Sequence, residues 1–119
     1  MSTVNYCGKH IIIEIWTDIQ AVELYDEDGI SAIMKNAACS VGATVLNEHW
    51  HHFGEGCGVT GVLLLSESHM SIHTWPEHGY AAIDVFMCGE CDAALTVTPI
   101  TQFFNTKEYK VINLIRGNL

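Results

Sequence analysis

Two hydrophobic periodicities divide this chain. Lys9 to Trp16 contains the run Ile11-Ile12-Ile13 and reads as a buried strand. Asp26-Glu27-Asp28 forms an acidic turn, with Asp28 the expected N-cap of a helix. In that helix Ile30, Ile33, Met34, Ala37, Ala38 and Val41 recur every three or four positions, so they share one face, and Gly42 is the expected stop. Residues 43–53 and 59–66 read as strands joined by the glycine-rich loop Gly54-Glu55-Gly56-Cys57-Gly58. Two stretches then alternate with period two. In residues 69–75, Met70, Ile72 and Thr74 point one way, and Ser71, His73 and Trp75 the other. After the turn Pro76-Glu77-His78-Gly79, Ala81, Ile83, Val85 and Met87 form an apolar face. Tyr80, Ala82, Asp84 and Phe86 form the opposite face, with Cys88 following in register.

The stretch from Asp92 to Thr106 fits neither period. Thr96, Val97 and Thr98 are poor helix formers, but Pro99 can open a short helix through Phe104. Tyr109 to Ile115 is the expected last strand, ended by Arg116-Gly117. Adjacent strands thus carry one bland apolar face and one face bearing chemistry, and the bland faces are expected to lie under helices. This pattern predicts an α+β fold, a two-layer sandwich of a largely antiparallel sheet with two helices on one face. At 119 residues the chain is enough for a single domain spanning 1–119.

Composition narrows the function classes. The chain is 49% hydrophobic and 16% charged, enough apolar material for one core. A net charge of −9 with five Lys plus Arg leaves no cationic cluster for phosphates, so nucleic acid is not an expected partner. No apolar run approaches the roughly 20 residues a bilayer demands. No basic stretch followed by an apolar segment marks a signal peptide, so a cytoplasmic protein without a membrane partner is expected. The cysteines are Cys7, Cys39, Cys57, Cys88 and Cys91, an odd set that argues against a disulfide framework. Cys88-Gly89-Glu90-Cys91 is a CxxC, usable as a redox pair or half a zinc site, but a second pair at ligand spacing is missing. His49 and His51 share a strand face as a metal pair would, without a carboxylate at supporting spacing, so no metal is expected.

The densest chemistry lies in Leu65-Ser66-Glu67-Ser68-His69-Met70-Ser71-Ile72-His73-Thr74-Trp75-Pro76-Glu77. A serine hydroxyl can attack the carbonyl of the residue before it and replace an amide by an ester. The step is uphill unless the fold strains the peptide or stabilises the oxyanion. A base must then remove the serine α-proton, so that the ester is eliminated and the dehydroalanine hydrolyses to a pyruvoyl group. His73, five residues on, is expected to fold back across a turn as that base, and Thr60 offers a hydroxyl for the oxyanion. The same run also reads as a Ser- and His-rich hairpin turn. Phe53 and Trp75 also read as core aromatics, Cys88 as a small buried hydrophobe, and Glu77 as a solvated turn residue.

The segment from Gly58-Val59-Thr60-Gly61 through Cys88-Gly89-Glu90 closely resembles the prokaryotic S-adenosylmethionine decarboxylases, which are pyruvoyl-dependent. Similarity extends more weakly to Gly8-Lys9-His10 and to Arg116-Gly117. The resemblance implies self-cleavage at Glu67-Ser68 into chains 1–67 and 68–119, with Ser68 becoming the pyruvoyl cofactor that binds the substrate amine as a Schiff base. It implies His73 and Thr60 as processing residues, where Thr60 stands in place of the family's serine. Cys88 matches the thiol that returns a proton after carbon dioxide leaves. Phe53 and Trp75 resemble the aromatic pair that sandwiches adenine, and Glu77 the acid on the ribose hydroxyls. The Gly54–Gly58 loop departs from the family pattern in length. A homodimer with pockets near its interface is implied, making decarboxylated S-adenosylmethionine for spermidine synthesis. Relatives acting on ornithine or arginine, or an unprocessed regulatory homologue, would share much of this pattern.

Overall fold

A computed structural model describes residues 7–117; residues 1–6, part of the segment read for a targeting signal, lie outside it. Six strands form one antiparallel sheet: β1 (Gly8–Trp16), β2 (Val45–His52), β3 (Val59–Leu65), β4 (Ser68–Trp75), β5 (Tyr80–Cys88) and β6 (Glu108–Arg116). Their spatial order is β2-β3-β4-β5-β1-β6. Two helices, α1 (Glu27–Ser40) and α2 (Val97–Phe103), pack on one face. This is the expected α+β two-layer arrangement. No helix among the described residues is long and apolar enough to cross a membrane.

The core follows the period-two pattern. Ile11, Ile13 and Ile15 of β1, Met70 and Ile72 of β4, and Ala81, Ile83, Val85 and Met87 of β5 meet Ile30, Met34, Ala37 and Ala38 of α1 and Ile100 of α2. Thr74 is the polar member of this face. Its hydroxyl donates to the Leu24 carbonyl at 2.7 Å and accepts from the Val59 N–H at 2.8 Å, so burial leaves it satisfied. Gly79 closes the β4–β5 connection at φ +62°, with its N–H on the Pro76 carbonyl.

Two helix starts differ from expectation. Asp26, not Asp28, caps α1, its carboxylate accepting from the Gly29 N–H at 3.0 Å. Asp28 already lies inside the first turn, where a negative charge still complements the helix dipole. α2 begins at Val97, after a 3₁₀ turn at Ala93–Thr96, so Pro99 is its third residue and not its first. The first turn leaves its N–H groups without intrahelical partners, so a proline is tolerated there as well.

Among the described residues, the other sheet face carries no helix. Direct cross-strand partners place His10, Phe86 and His69 in one row, Ile12, Asp84, Ser71 and Val62 in the next, and Glu14, Ala82, His73 and Thr60 in a third. This uncovered face leaves Leu64, Trp75, Ile112 and Leu114 between 40% and 51% exposed.

Candidate active site

β3 and β4 are joined by a two-residue turn, Ser66-Glu67, with Leu65 paired to Ser68. Glu67 sits at φ +60°, in the left-handed region where a side chain is disfavoured. The bond that follows it is Glu67-Ser68. The Ser68 hydroxyl oxygen accepts from the Cys88 backbone N–H at 3.3 Å, which ties the start of β4 to the end of β5. Burial raises the Cys88 thiol pKa, and the nearby Glu67, Cys7 and Cys91 raise it further. Cys91, the other half of the CxxC, is half-buried.

A second cluster occupies the opposite end of β4. Thr60 and His73 are cross-strand partners, and the Thr60 hydroxyl is hydrogen-bonded to His73 Nδ1 at 3.1 Å. Both line an open cleft of about 390 Å³ with Phe53, Cys57, Gly58, Thr74, Trp75 and Glu77. A Cβ at Gly58 would collide with the Thr74 carbonyl oxygen, so only glycine lets the loop close on β4 here. Phe53 is 61% exposed and meets the His51 ring edge-on at 4.5 Å. Trp75 is backed by Tyr80, with ring centroids 5.5 Å apart, and Tyr80 by Trp16 at the same distance. Burial raises the Tyr80 pKa to about 12, helped by its hydrogen bond to Glu14, so the ring stays neutral.

The structure therefore brings Phe53, Thr60, His73, Trp75 and Glu77 together, and Glu67, Ser68 and Cys88 together, but it does not join the two groups. The turn precedes Ser68 and does not lie between Ser68 and His73, so the expected fold-back of His73 is corrected. They stand five steps apart along the strand, about 17 Å at ~3.3 Å per residue.

Between the two groups the uncovered face holds residues that sequence reasoning gave no role. Asp84 Oδ2 lies 2.7 Å from His10 Nε2 and 3.2 Å from His69 Nε2, while Ser71 donates to Oδ1. Burial pushes the Asp84 carboxyl up, but the bonds from Ser71, His10 and His69 outweigh it and hold the pKa below the usual range. The available signal was alternation, which put Asp84 on the chemical face of an otherwise apolar strand. Among the described residues, His10, His69 and Asp84 also form the one group with ligand atoms close enough for a metal, within 4.8 Å of one another. His49 and His51 are not in it.

The family model described as S-adenosylmethionine decarboxylase matches residues 9–117. A protein of Methanococcus maripaludis named S-adenosylmethionine decarboxylase proenzyme is 46% identical over 92% of this chain and 89% of its own length. One of the same name from Fervidobacterium nodosum is 41% identical over 92% of this chain and 80% of its own. The crystal structure of the adenosylmethionine decarboxylase from Aquifex aeolicus superposes with a TM-score of 0.84 at 29% identity, covering 99% of this chain and 95% of that one. A match running from β1 to the end of β6, and taking in every residue of both groups, means that this chain belongs to the S-adenosylmethionine decarboxylase family.

Proposed function

We propose that the protein is a self-processing S-adenosylmethionine decarboxylase that works as a pair of chains. The observation that carries the processing half is Glu67 at φ +60° immediately before Ser68. A non-glycine residue held there stores about 1–3 kcal/mol of backbone strain, in the residue whose carbonyl must be attacked. The Cys88 N–H fixes the hydroxyl at the start of β4. Attack of Ser68 Oγ on the Glu67 carbonyl carbon converts the amide to an ester. Removal of the α-proton at residue 68 expels Glu67 as a carboxylate, and the dehydroalanine left behind takes up water and releases ammonia. The products are chain 1–67 and chain 68–119, the second beginning with a pyruvoyl group.

The residues fit that group: Ser68 begins a strand and is bonded to the backbone N–H of Cys88, whose thiol holds its proton. A pyruvoyl carbonyl supplies an electron sink for decarboxylation, as pyridoxal phosphate does elsewhere. Cys88 is the proton donor to the substrate carbon, and its raised pKa keeps the thiol protonated at neutral pH. In the cleft, Phe53 and Trp75 offer aromatic faces for adenine and Glu77 a carboxylate for the ribose hydroxyls.

The two groups lie at opposite ends of β4, so one chain cannot present Ser68 to its own His73. A second copy packed antiparallel on the uncovered face would set Ser68 and Cys88 of one chain against Thr60, His73 and the cleft of the other. The exposed apolar side chains of that face favour such burial. Intact-mass measurement should show two fragments split before residue 68, and one uncleaved chain for Ser68→Ala. Carbon dioxide should be released from S-adenosylmethionine in preference to ornithine or arginine. A chain that stays whole defeats the processing reading, and efficient turnover of ornithine or arginine alone defeats the substrate assignment.

A further inference from the structure

Cleavage at Glu67-Ser68 creates a mechanical problem. The bond lies in the two-residue connection between β3 and β4, so processing leaves residue 68 at a free strand end. Strand ends without their turn fray. A reactive carbonyl there must nevertheless stay within reach of Cys88. Resting on the processing reading above, we propose that Asp84 is a positioning residue that anchors the cofactor-bearing end of β4 through His69.

His69 is bonded directly to residue 68. Its Nε2 lies 3.2 Å from Asp84 Oδ2, and its ring sits 5.7 Å from that of Phe86 and 5.9 Å, edge-on, from that of His10. Asp84 is itself fixed by Ser71 and by His10 Nε2 at 2.7 Å. The tautomer of His10 follows from its other nitrogen. Arg116 Nη1 lies 3.1 Å from His10 Nδ1, and a guanidinium has only donors. Nδ1 therefore accepts, and the ring proton is on Nε2, aimed at Asp84. Four adjacent strands, β6, β1, β5 and β4, thus converge on one carboxylate, and its remaining bond holds the residue next to the cofactor.

The same three groups resemble a metal site, and the hydrogen-bond pattern decides against it. A metal-bound histidine ordinarily donates its other N–H to a carboxylate or carbonyl. Here the other nitrogen of His10 faces a donor, so a metal on Nε2 would require loss of both ring protons.

The test is a double-mutant cycle on cleaved protein with Asp84→Asn, His69→Ala and the pair, reading cleavage, kcat and KM. Asp84→Asn keeps the side-chain volume but loses the charge that accepts the His69 bond. The anchor predicts normal cleavage, kcat lowered about tenfold or more, and KM changed less than about twofold because the cleft is untouched. His69→Ala should do the same, and the double variant should be little worse than either single one. Unchanged kcat in Asp84→Asn, or losses that multiply in the double variant, would overturn the anchor. So would stoichiometric zinc binding that Asp84→Asn abolishes. Wild-type protein that does not cleave would instead overturn the reading beneath it. Should the variants fail to fold, amide exchange at residues 69–71 of cleaved wild type decides: protection matching mid-β4 supports the anchor, and rapid exchange removes it.

Discussion

Cys88 holds its proton because of what surrounds it: burial first, then Glu67, Cys7 and Cys91. A raised thiol pKa means the protonated form persists to higher pH than for an ordinary cysteine, so the alkaline limb governed by Cys88 should lie above the usual thiol value. Thiolate absorbance of Ser68→Ala against pH, with Cys88→Ala in the same background subtracted, measures it. Glu67→Gln removes one cause and should move the titration down. In processed enzyme Cys88→Ala should still be cleaved but lose roughly a hundredfold or more in kcat, the usual scale for a positioned acid. Cys91→Ala should leave turnover intact. Trp75 acts differently, as a face in the cleft backed by Tyr80. Stacking on a base is worth about 1–3 kcal/mol, so Trp75→Ala should raise KM for S-adenosylmethionine roughly five- to 150-fold with cleavage unchanged. A competition assay with ornithine reads the same contact from the other side. Ser68, Cys88 and Trp75 could be singled out from the sequence because each sits in a long local string. Asp84 was not, because its partners come from positions 10, 69 and 71 and only the register of β1, β4 and β5 unites them.

β2 is an edge strand tied to α1 through one side chain. Glu48 accepts from Ser31 at 2.7 Å and Lys35 at 2.9 Å, both on α1, and from the Trp50 indole at 2.8 Å. These bonds, that to Lys35 foremost, lower its pKa from the usual 4.5 to about 2. A depressed carboxylate contributes stability that is whole above its unfolded value and is lost as pH falls toward its folded one. Glu48→Gln should therefore lower the denaturation midpoint above about pH 5, with the gap to wild type narrowing as pH falls toward 2. Because Lys35 and Glu48 are partly solvated, salt should also narrow it. Thermal melts across that pH range, at low and high salt, give the result. β1, β3, β4, β5 and α1 were readable from their periods because one face of each is buried. The start of α2 was not, since a threonine-rich segment has weak propensity and its helix is set by burial of Ile100 against the sheet. Asp26 and Asp28 are both chemically able to cap; Asp26 does so because it directly follows a 3₁₀ turn at Val22–Tyr25 and stands just outside the first helical turn, where Asp28 already lies inside it.

At the scale of the whole molecule, spacing along the sequence misleads. A separation of five along the chain suggests that Ser68 and His73 are neighbours, yet in a strand that interval is about 17 Å, and the intervening turn the chemistry wanted is absent. What a single chain keeps apart, the proposed pair of chains would combine across the uncovered face. The arrangement makes a prediction that no single-chain site shares. Ser68→Ala lacks the nucleophile, and His73→Ala lacks the base, so each alone should remain largely whole. In a mixed pair, the intact Ser68 of one chain faces the intact His73 of the other, while the second site carries both lesions. Co-expression with distinguishable tags, followed by intact-mass analysis of the isolated mixed pair, should show the His73→Ala chain cut before residue 68 and the Ser68→Ala chain whole. About half of the wild-type decarboxylation per pair should return, since one of two sites is complete. If mixed pairs form and neither chain is cut, His73 does not act across the interface, and the two-chain reading of processing fails.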